Sequence, residues 1–470
     1  MESPLDYLKQ RGNKAWLIGH NSSDLLASVE ELLEQFTQLT PFQRILLVET
    51  NPVRLIAGFV AGYAAGHQIF LGNSSWGTSE WQQVFALVQP QVVWGNRQHQ
   101  YQYQDQACPN AAQEIINQVP KVRIMIPTGG SSGTIRFAMH TWETLMASAQ
   151  GFRQYFQVSA VNSICVLPLH HVSGLMQFVR SLTSDGKLLI APFAELKSGK
   201  LCHFNPTDFF LSLVPTQLQA LLSNSTSTAW LSCCKTVLLG GAPAWPSLLD
   251  TARLYQIRLA PCYGMTETAS QIATLKPEVF LQGNDHSGQV LPHAQVKIID
   301  SSGHLLGLNQ VGAITIQATS LALGYYPEFF PSSADFQTHD LGLLDNQGNL
   351  HVLGRSNDQI ITGGENVAPV EVEAAIQSTQ LVVDVAVVGL PDQYWGQVIA
   401  AAYVPATSAI SSAQIHCALE TKLARFKHPK LWLPVENLPR NAQGKINRAQ
   451  LLEMISKWQQ EQAVGSTTLA

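Results

Sequence analysis

Short apolar runs alternate with longer amphipathic or apolar stretches along the chain. Residues 44–50 form a short apolar run bounded by polar residues, residues 53–66 have the length and composition of a buried helix, and residues 68–71 form a second short run. A strand, a helix and a strand in this order are typical of a parallel βαβ unit. The pattern predicts an α/β architecture with mostly parallel sheets flanked by helices. Further strand-like runs lie at residues 92–94, 122–126, 163–167, 187–190, 209–214 and 236–239.

The spacing changes after about residue 285, where strand-like runs are separated by turn-forming Gly, Asn and Asp residues. We interpret the region from about 285 to 354 as a β-rich subdomain. Beyond it, helical and strand-like segments alternate over about 115 residues, which is enough for a compact α+β domain. The sequence therefore predicts a large N-terminal domain over 1–354, a boundary at 355–358 and a small C-terminal domain over 359–470.

Composition supports a globular chain of more than one domain. Single hydrophobic cores stop growing at about 250–300 residues. This chain has 470 residues, of which 46% are apolar and 13% are charged. Its formal net charge of −5 argues against a nucleic acid or an anionic membrane surface as a partner. The seven cysteines are scattered without C-x-x-C or zinc-type spacing, which favours reduced thiols in a cytoplasmic protein.

Neither a secretory signal nor a membrane span is expected from the sequence. The first residues lack a basic region followed by an apolar core. The most apolar run, 55–66, is shorter than the about 20 residues that a membrane-spanning helix needs. Assembly as a homodimer is left open, since no residue pattern decides it.

A glycine-rich loop follows the strand-like run at 122–126. Glycine allows successive backbone N–H groups to point into one concavity, and hydroxyl groups add further donors, which together make a nest for an anion. Arg136 comes shortly after the loop and can add a charge-assisted bond to a phosphate. A flexible surface turn is the competing interpretation of this loop taken alone. The loop consists of Thr128, Gly129, Gly130, Ser131, Ser132, Gly133 and Thr134.

Two other glycine-rich motifs, the Walker A loop and the nucleophile elbow of hydrolases, can be compared with this loop. A Walker A loop needs Ser or Thr after a Gly-Lys pair, and none of the Gly-Lys pairs in this chain has one, which excludes a P-loop NTPase. Residues 129–133 do satisfy G-x-S-x-G, the nucleophile elbow of a hydrolase, with Ser131 as the nucleophile. Such an elbow leads directly into a helix, whereas here the first helix start is Thr141, so the hydrolase is disfavoured.

Further motifs offer groups that suit nucleotide chemistry. Thr266 and Glu267 place a hydroxyl beside a carboxylate, and such oxygen ligands suit a Mg²⁺ that also touches phosphates. Each motif also has an ordinary structural interpretation: Lys445 on its glycine turn could be a surface charge, and of the adjacent pair His170 and His171 one could be packed and the other solvated. The remaining candidates are the turn at Gly241, Ala242 and Pro243, and the polar pair Asp340 and Arg355.

The order and spacing of these motifs resemble the adenylate-forming superfamily of acyl-CoA synthetases, non-ribosomal peptide adenylation domains and luciferases. The match runs from about Arg44 to Arg448, nearly the whole chain. The resemblance implies a mobile C-terminal domain, with Asn357 or Asp358 as the pivot of the hinge and the active site between the two domains. It also implies two half-reactions with ATP, Mg²⁺ and CoA. A carboxylate first forms an acyl-AMP and releases pyrophosphate, and CoA then displaces AMP.

Roles for individual residues follow from the same resemblance. Thr266 would touch the α-phosphate, Glu267 would bind Mg²⁺, and Lys445 would reach the α-phosphate and the attacking carboxylate. A non-catalytic AMP-binding protein is the alternative from another class, and it should lack Glu267 or Lys445. The residues expected to bind ATP are Thr128 to Thr134, Arg136, Gly241, Ala242, Pro243, Tyr263, Gly264, Asp340 and Arg355. The residues expected to contact CoA are Gly363, Gly364, Trp395, Phe426 and Lys427.

Within the superfamily the chain most resembles the o-succinylbenzoate–CoA ligase family of menaquinone and phylloquinone synthesis. His171 and Ser173 occupy that family's Pro-Leu-x-His-x-Ser-Gly motif, which implies contact with the substrate or the reacting groups. Arg180 lies where related ligases hold a substrate carboxylate, and a guanidinium suits a bidentate contact with the second carboxylate of a dicarboxylate. Alternatives are a surface role for Arg180 and another aryl or acyl substrate.

Three positions depart from the usual pattern of the superfamily. Arg136 stands where most relatives have lysine, His339 interrupts a ribose motif that is usually Thr-Gly-Asp, and Asn357 occupies a hinge position that is usually Asp or Lys. None of these changes removes a group that the chemistry requires.

Overall fold

A computed structural model describes the chain in ten segments. They are residues 1–12, 14–95, 124–129, 135–331, 335–355, 360–362, 365–392, 395–420, 422–440 and 444–467. Within them, four sheets and the helices around them account for the fold, and the predicted α/β class is confirmed.

The first sheet has eight strands, of which six are parallel neighbours and the last two run antiparallel at one edge. The parallel strands read as nearly continuous apolar runs because helices cover the sheet. In spatial order the strands are β1 (Leu17–Ile18), β8 (Leu188–Ile190), β7 (Asn162–Cys165), β9 (Phe209–Leu213), β10 (Thr236–Leu239), β11 (Leu259–Met265), β12 (Ser270–Thr274) and β13 (Gln289–Val290).

The second sheet has seven strands and contains the βαβ unit predicted near residue 50. Four of its strands are parallel, and three antiparallel strands complete the other edge. In spatial order they are β17 (Glu328–Phe329), β16 (Gly324–Tyr325), β6 (Ile135–His140), β5 (Ile124–Gly129), β3 (Gln68–Leu71), β2 (Arg44–Val48) and β4 (Val92–Gly95). Strand β6, and not a helix, is the first described element after the glycine-rich loop.

Helices join the two large sheets through a shared apolar core. Phe59 and Phe178, from helices that belong to different sheets, meet edge to face with ring centroids 6.3 Å apart. The helices of this region are α1 (Pro4–Arg11), α2 (Ser22–Thr37), α3 (Pro52–Ala64), α4 (Thr78–Val88), α5 (Trp142–Phe156), α6 (Val172–Thr183), α7 (Phe193–Lys197), α8 (Pro215–Leu222), α9 (Ser225–Ser232), α10 (Pro246–Leu254) and α11 (Pro277–Leu281).

The region predicted to be β-rich forms an antiparallel sheet of four strands. In spatial order they are β14 (Ala294–Ile299), β15 (Gly312–Ala318), β18 (Phe336–Leu344) and β19 (Leu350–Arg355). Its most deeply buried side chains are isoleucine and leucine, and those of β15 occupy alternate positions along the strand.

The C-terminal part is an α+β unit, in agreement with its sequence pattern. Its sheet is made of β20 (Ile360–Thr362), β21 (Glu365–Val367), β22 (Val382–Asp392), β23 (Gly396–Pro405) and β24 (Leu431–Pro434). Its helices are α12 (Pro369–Gln377), α13 (Ser412–Leu419) and α14 (Arg448–Thr467). Separate apolar clusters cover the two faces of the sheet. None of the helices in the described segments has the length and apolar composition required to cross a membrane.

Candidate active site

The motif around Thr266 and Glu267 forms a tight turn between β11 and β12. Residues Thr266–Thr268 make one turn of 3₁₀ helix, and Ala269 and Ser270 follow with φ of +50° and +97°. Residues other than glycine rarely adopt such values, and they persist only where the surroundings hold them. The strained turn therefore points to a site whose geometry is imposed by its neighbours.

Hydrogen bonds from three directions hold this turn. Ser148 donates to the carbonyl of Ala269 at 2.6 Å, and Ser320 donates to the carbonyl of Thr268 at 2.9 Å. The ring Nε2 of His140 lies 2.9 Å from the carbonyl of Thr266. Burial lowers the pKa of His140 to about 4, so its ring is neutral at physiological pH and Nε2 can carry the proton that it donates.

Gly264 is required by the close approach of the two strands. A Cβ atom at this position would lie 2.2 Å from the carbonyl oxygen of Ser270. The turn at Gly241 has a different requirement, since its φ of +82° belongs to the left-handed region that glycine adopts without strain. Both predicted glycine positions are thus determined by the backbone.

Tyr263, Asp340 and Arg355 form one polar group at the carboxyl end of β11. The hydroxyl of Tyr263 donates to Oδ2 of Asp340 at 2.6 Å, and Nε of Arg355 lies 3.2 Å from Oδ1. Burial and the negative charge of Asp340 raise the pKa of Tyr263 well above its ordinary value, so the phenol stays protonated. The structure therefore brings together three residues that the sequence assigned to the nucleoside end of the site.

Glu267 is buried, with 6% of its surface exposed, and one of its oxygens accepts a hydrogen bond from Tyr325 at 2.5 Å. The guanidinium of Arg136 lies over the Tyr325 ring, 4.0 Å from its centroid. Burial, followed by the charge of Glu267, raises the pKa of Tyr325. Sequence reasoning missed Tyr325, because no motif or spacing around residue 325 indicates a contact with Glu267.

Lys445 reaches this group from the C-terminal part of the chain. Burial and the positive charge of Arg355 lower its pKa, while the negative charges of Glu267 and Asp340 raise it. Lys445 is exposed to solvent, although protein atoms also surround its ammonium. These two observations agree if the ammonium lines an open cleft, where water still reaches it. A positive charge in such a cleft attracts anionic ligands.

The turn that carries Lys445 lies against helix α8 of the N-terminal part. A Cβ at Gly444, whose φ is +74°, would lie 3.3 Å from the hydroxyl of Thr216. A nearby contact joins the same two parts, since Nε2 of Gln219 lies 3.4 Å from the carbonyl of Val383. The turn that carries Lys445 is therefore held against the N-terminal part of the chain, where the charges of Glu267 and Asp340 act on the lysine.

The two adjacent histidines are both packed, and neither is a freely solvated side chain. His171 is the N-cap of α6 and 8% exposed, and the rings of His170 and His171 are 4.2 Å apart. Burial lowers the pKa of His170 to about 4. Burial, the neighbouring His170 and the charge of Lys445 lower the pKa of His171 well below its ordinary value. His171 is thus a neutral group within the electrostatic reach of Lys445.

Arg180 lies inside α6 and is only 2% exposed, so the interpretation as a surface arginine is wrong. Its Nη2 donates to the hydroxyl of Ser270 at 3.0 Å, and its guanidinium lies 4.3 Å from the ring centroid of Phe152. Burial lowers its pKa to about 10. Among the described residues no carboxylate forms an ion pair with Arg180, and its Nε has no hydrogen-bond partner.

Ser173, which the sequence also assigned to the substrate, lies in the first turn of the same helix α6. Its backbone carbonyl accepts a hydrogen bond from the side-chain amide of Gln177, one helical turn further on.

Family comparison agrees with this arrangement. Residues 27–326 match the family described as AMP-binding enzyme, and residues 371–445 match the AMP-binding enzyme C-terminal domain. This chain belongs to the AMP-binding enzyme family.

Individual relatives cover most of the chain. The 2-succinylbenzoate–CoA ligase of Enterococcus faecalis is 32% identical over 449 residues, which is 92% of this chain and 86% of the relative. The ligase of the same name from Listeria monocytogenes serotype 4b is 34% identical over 339 residues, which is 69% of this chain and 68% of the relative. The solved o-succinylbenzoate coenzyme A synthetase of Bacillus subtilis, in complex with AMP, has the same fold, with a TM-score of 0.82, 24% identity and coverage of 95% and 97%.

The residues of this family member fit a magnesium nucleotide. Glu267 supplies a carboxylate and Thr266 a hydroxyl, and such oxygen donors are those that Mg²⁺ takes in proteins together with phosphate oxygens. Lys445 and Arg355 bring positive charge to the same cleft. The chemistry of the donor set therefore suits Mg·ATP.

A separate group of metal-ligating side chains occurs in the β-rich subdomain. His286, Asp345 and His351 each place one ligand atom within 4.8 Å of the others. Asp345 accepts the backbone N–H groups of Gln347 and Asn349, each at 2.8 Å, and Nδ1 of His286 accepts that of Gly288 at 3.0 Å. Because these lone pairs already hold the hairpin, we interpret the group as structural.

The remaining predicted site residues either lie on the C-terminal domain or fall outside the described segments. Trp395 and Phe426 are exposed on the C-terminal domain, where Lys430 lies 3.5 Å from the Trp395 ring centroid and Lys427 pairs with Glu371 at 2.5 Å. The residues outside the described segments are Gly130, Ser131, Ser132, Gly133, Thr134, Asn357, Asp358, Gly363 and Gly364.

Proposed function

We propose that this protein is an AMP-forming 2-succinylbenzoate–CoA ligase. It forms an acyl-AMP from 2-succinylbenzoate and ATP, and then transfers the acyl group to CoA. The proposed substrate and reaction are those of relatives that are 32% and 34% identical, and the residues of the site can perform this chemistry. The observation that carries the proposal is the position of Lys445, which faces Glu267, Asp340 and Arg355 across the cleft.

The first half-reaction needs positive charge at the α-phosphate. A carboxylate oxygen of the substrate forms a bond to the α-phosphorus, and the bond to the pyrophosphate oxygen breaks. Lys445 stabilises the charge that develops on the phosphate oxygens, and the hydroxyl of Thr266 orients them. Mg²⁺, when bound through Glu267, neutralises charge on the phosphates.

The nucleoside end of ATP is held by the group around β11. Tyr263 stacks on the base beside Gly241, Ala242 and Pro243, and Asp340 accepts the ribose hydroxyls with help from Arg355. The hydrogen bonds between Tyr263, Asp340 and Arg355 support this assignment, because they fix the carboxylate before the ligand arrives. The glycine-rich loop and Arg136 hold the departing β- and γ-phosphates.

Arg180 supports a substrate with two carboxylates. A buried guanidinium without a carboxylate partner is costly, and a ligand anion removes that cost. 2-Succinylbenzoate can supply this anion with the carboxylate that does not react. His171 and Ser173, at the start of the same helix, lie on the side of the acyl group. A monocarboxylate such as benzoate or a fatty acid would leave Arg180 unpaired.

The second half-reaction follows a rotation of the C-terminal domain. In this proposal residues 359–470 rotate about Asn357 or Asp358 relative to residues 1–354, which withdraws Lys445. Gly363 and Gly364 then border the pantetheine path, and Trp395, Phe426 and Lys427 contact CoA. The thiolate of CoA attacks the acyl carbonyl, and AMP leaves. Location in the cytoplasm and assembly as a homodimer stay predictions.

Product analysis tests the function. The protein is incubated with 2-succinylbenzoate, ATP, Mg²⁺ and CoA, and mass spectrometry follows the thioester and AMP. We expect one thioester per AMP, and much slower reaction with benzoate, fatty acids or 4-oxo-4-phenylbutanoate, which keeps the succinyl chain but lacks the ring carboxylate. A faster reaction with a monocarboxylate would replace the proposed substrate. Labelling of Ser131 by a fluorophosphonate without ATP-dependent CoA consumption would favour the hydrolase.

A further inference from the structure

Tyr325 connects two parts of the site that are distant in sequence. Its hydroxyl donates to Oε1 of Glu267 at 2.5 Å, and its ring lies beneath the guanidinium of Arg136, 4.0 Å from ring centroid to Cζ. One side chain thus contacts both Glu267, the carboxylate expected to bind the metal, and Arg136, the arginine that follows the glycine-rich loop. Phe330 packs edge to face against the same ring, with centroids 5.2 Å apart, and limits its rotation.

The backbone fixes this contact from two sides. Strand β16 pairs with β6 so that Tyr325 lies opposite Ala138, and Arg136 is two residues from Ala138, on the same face of the strand. The backbone N–H of Ala322 donates to the carbonyl of Glu267 at 2.7 Å, which connects the segment before Tyr325 to the Thr266–Thr268 turn. The position of the phenol relative to Glu267 is therefore set by strand pairing and not by chance side-chain contact.

The hydrogen bond has a direct consequence for the carboxylate. A phenol at neutral pH is a donor and an ionised carboxylate is an acceptor, so Tyr325 occupies one lone pair of Oε1. The carboxylate then keeps one orientation and presents its other acceptor positions to a cation. Groups that hydrogen-bond to a metal-binding carboxylate in this way typically change metal affinity or activity by about 10–100-fold when they are removed.

We propose that Tyr325 is a positioning residue that orients Glu267 for the divalent cation of the metal–ATP complex. Through its ring it also holds Arg136 at the phosphate end of the same complex. The inference rests on the proposed function as an ATP-dependent ligase and adds to it a residue that sets metal affinity. The tyrosine does not touch the reacting atoms.

Binding of Mn²⁺ gives a test that does not depend on turnover. Mn²⁺ is titrated into the full-length protein with a non-hydrolysable ATP analogue, and electron paramagnetic resonance measures the free ion. We expect Tyr325→Phe to weaken Mn²⁺ binding by about 10-fold or more. The phenylalanine keeps the ring over which Arg136 lies, so affinity for the analogue itself should change much less. Unchanged Mn²⁺ affinity in this variant would overturn the proposal.

The half-reactions provide the second readout. Pyrophosphate release by Tyr325→Phe should need a higher Mg²⁺ concentration, and most of the wild-type kcat should return at saturating Mg²⁺. Thioester formation from preformed acyl-AMP should not change, because the phosphates that the metal binds are no longer present. A fall in kcat that Mg²⁺ does not restore, with equal loss in both half-reactions, would indicate a general structural role and contradict the proposal.

Tyr326→Phe is the matched control. This neighbouring phenol lies on the opposite face of the chain, where its ring packs on Phe70 with centroids 4.9 Å apart. It should leave Mn²⁺ affinity unchanged. Tyr325→Leu removes the ring as well as the hydroxyl, and should weaken binding of the ATP analogue in addition. If Tyr325→Leu equals Tyr325→Phe in both affinities, the part of the proposal that involves Arg136 is wrong.

The wild-type protein separates this inference from the proposed function. Binding of Mn²⁺ and the ATP analogue is measured without any carboxylate substrate. If the wild type binds both but does not use 2-succinylbenzoate, the proposed substrate fails and Tyr325 is still tested by binding. If the wild type is an active ligase and Tyr325→Phe binds Mn²⁺ normally, only the Tyr325 inference fails.

Discussion

Nη2 of Arg440 donates hydrogen bonds to both carboxylate oxygens of Asp384, each at 2.8 Å. The other terminal nitrogen, Nη1, donates to the carbonyl of Gly444 at 2.6 Å. The first contact anchors the arginine to β22, and the second fixes the turn immediately before Lys445. The position of the lysine therefore depends on an ion pair that lies outside the cleft.

Asp384→Asn should slow the first half-reaction without removing any group from the cleft. The amide cannot provide the charge that holds Arg440, so the Lys445 turn becomes less well fixed. We expect pyrophosphate release to fall by about 10-fold, which corresponds to about 1.4 kcal/mol in the barrier. Thioester formation from preformed acyl-AMP, measured in parallel, should change little. Arg425→Ala, at an exposed arginine of the same domain, is the control and should behave as wild type.

Lys445→Ala should abolish pyrophosphate release and leave thioester formation from preformed acyl-AMP largely intact. In the proposed mechanism the ammonium stabilises charge at the α-phosphate, and that charge does not develop in the same way when CoA attacks. Rapid-quench assays of each half-reaction measure this separation. Lys457→Ala removes an exposed lysine from α14 and serves as the control. Equal loss in both half-reactions would contradict the assigned role.

The pH dependence of the first half-reaction should reflect the lowered pKa of Lys445. Burial and Arg355 disfavour the charged ammonium, so the proton is lost at a lower pH than from an ordinary lysine, whose pKa is 10.5. The charged form is present below the lowered pKa and disappears as pH rises through it. Pyrophosphate release should therefore decline on the alkaline side before pH 10.5, while the second half-reaction should not show this decline. Identical alkaline limbs in both profiles would exclude the lysine as their cause.

Arg180→Met should raise the KM for 2-succinylbenzoate far more than that for ATP. The methionine keeps much of the buried volume but cannot pair with a carboxylate. Without substrate, the melting temperature should not fall much, because the change also removes an unpaired buried charge. Saturation of the wild type with 2-succinylbenzoate should add stability, by about 2.7 kcal/mol at 100 times Kd, and the variant should lose this gain at the same concentration. An unchanged KM would remove Arg180 from the site.

Gly264→Ala should disrupt the Thr266–Glu267 turn. The new methyl group would stand 2.2 Å from the carbonyl oxygen of Ser270, so one of the two strands must move. Overpacking of this kind typically costs about 1–3 kcal/mol, and here the displaced segment carries Glu267, the residue that we propose binds the metal. Calorimetry should show weaker ATP binding as well as a lower melting temperature. Gly307→Ala is the control, because its Cβ would come no closer than 3.5 Å to its neighbours.

The fold class could be predicted from the spacing of apolar residues, because helices and strands each repeat over a few neighbouring residues. The alternation of short apolar runs with helical stretches predicted the parallel sheets, and the change after residue 285 predicted the antiparallel one. The same applies to Gly241 and Gly264, whose residue type reflects a local backbone requirement. The motifs with their order along the chain identified the family without any coordinates.

The contacts between distant residues could not be read from the chain in the same way. Arg180 has the sequence context of an arginine near the end of a helix, and only the packing of α6 against Phe152 and Ser270 buries it. Tyr325 meets Glu267 because β16 adds to the edge of a sheet next to β6. Neither relationship has a period or a composition that would reveal it, since both depend on strand order and register.

The sequence by itself therefore determined the elements, the sheet types, the family and most of the residues that we assign to the site. The tertiary structure decided which of them share a cleft and in what electrostatic state. Lys445 illustrates the division. From its glycine turn alone it would be interpreted as an ordinary surface lysine. In the folded protein the turn packs against α8, and the ammonium interacts with the charges of Glu267, Asp340 and Arg355 and has a lowered pKa. The physical reason is that burial and charge–charge interaction depend on distances through space, and local sequence does not encode those distances.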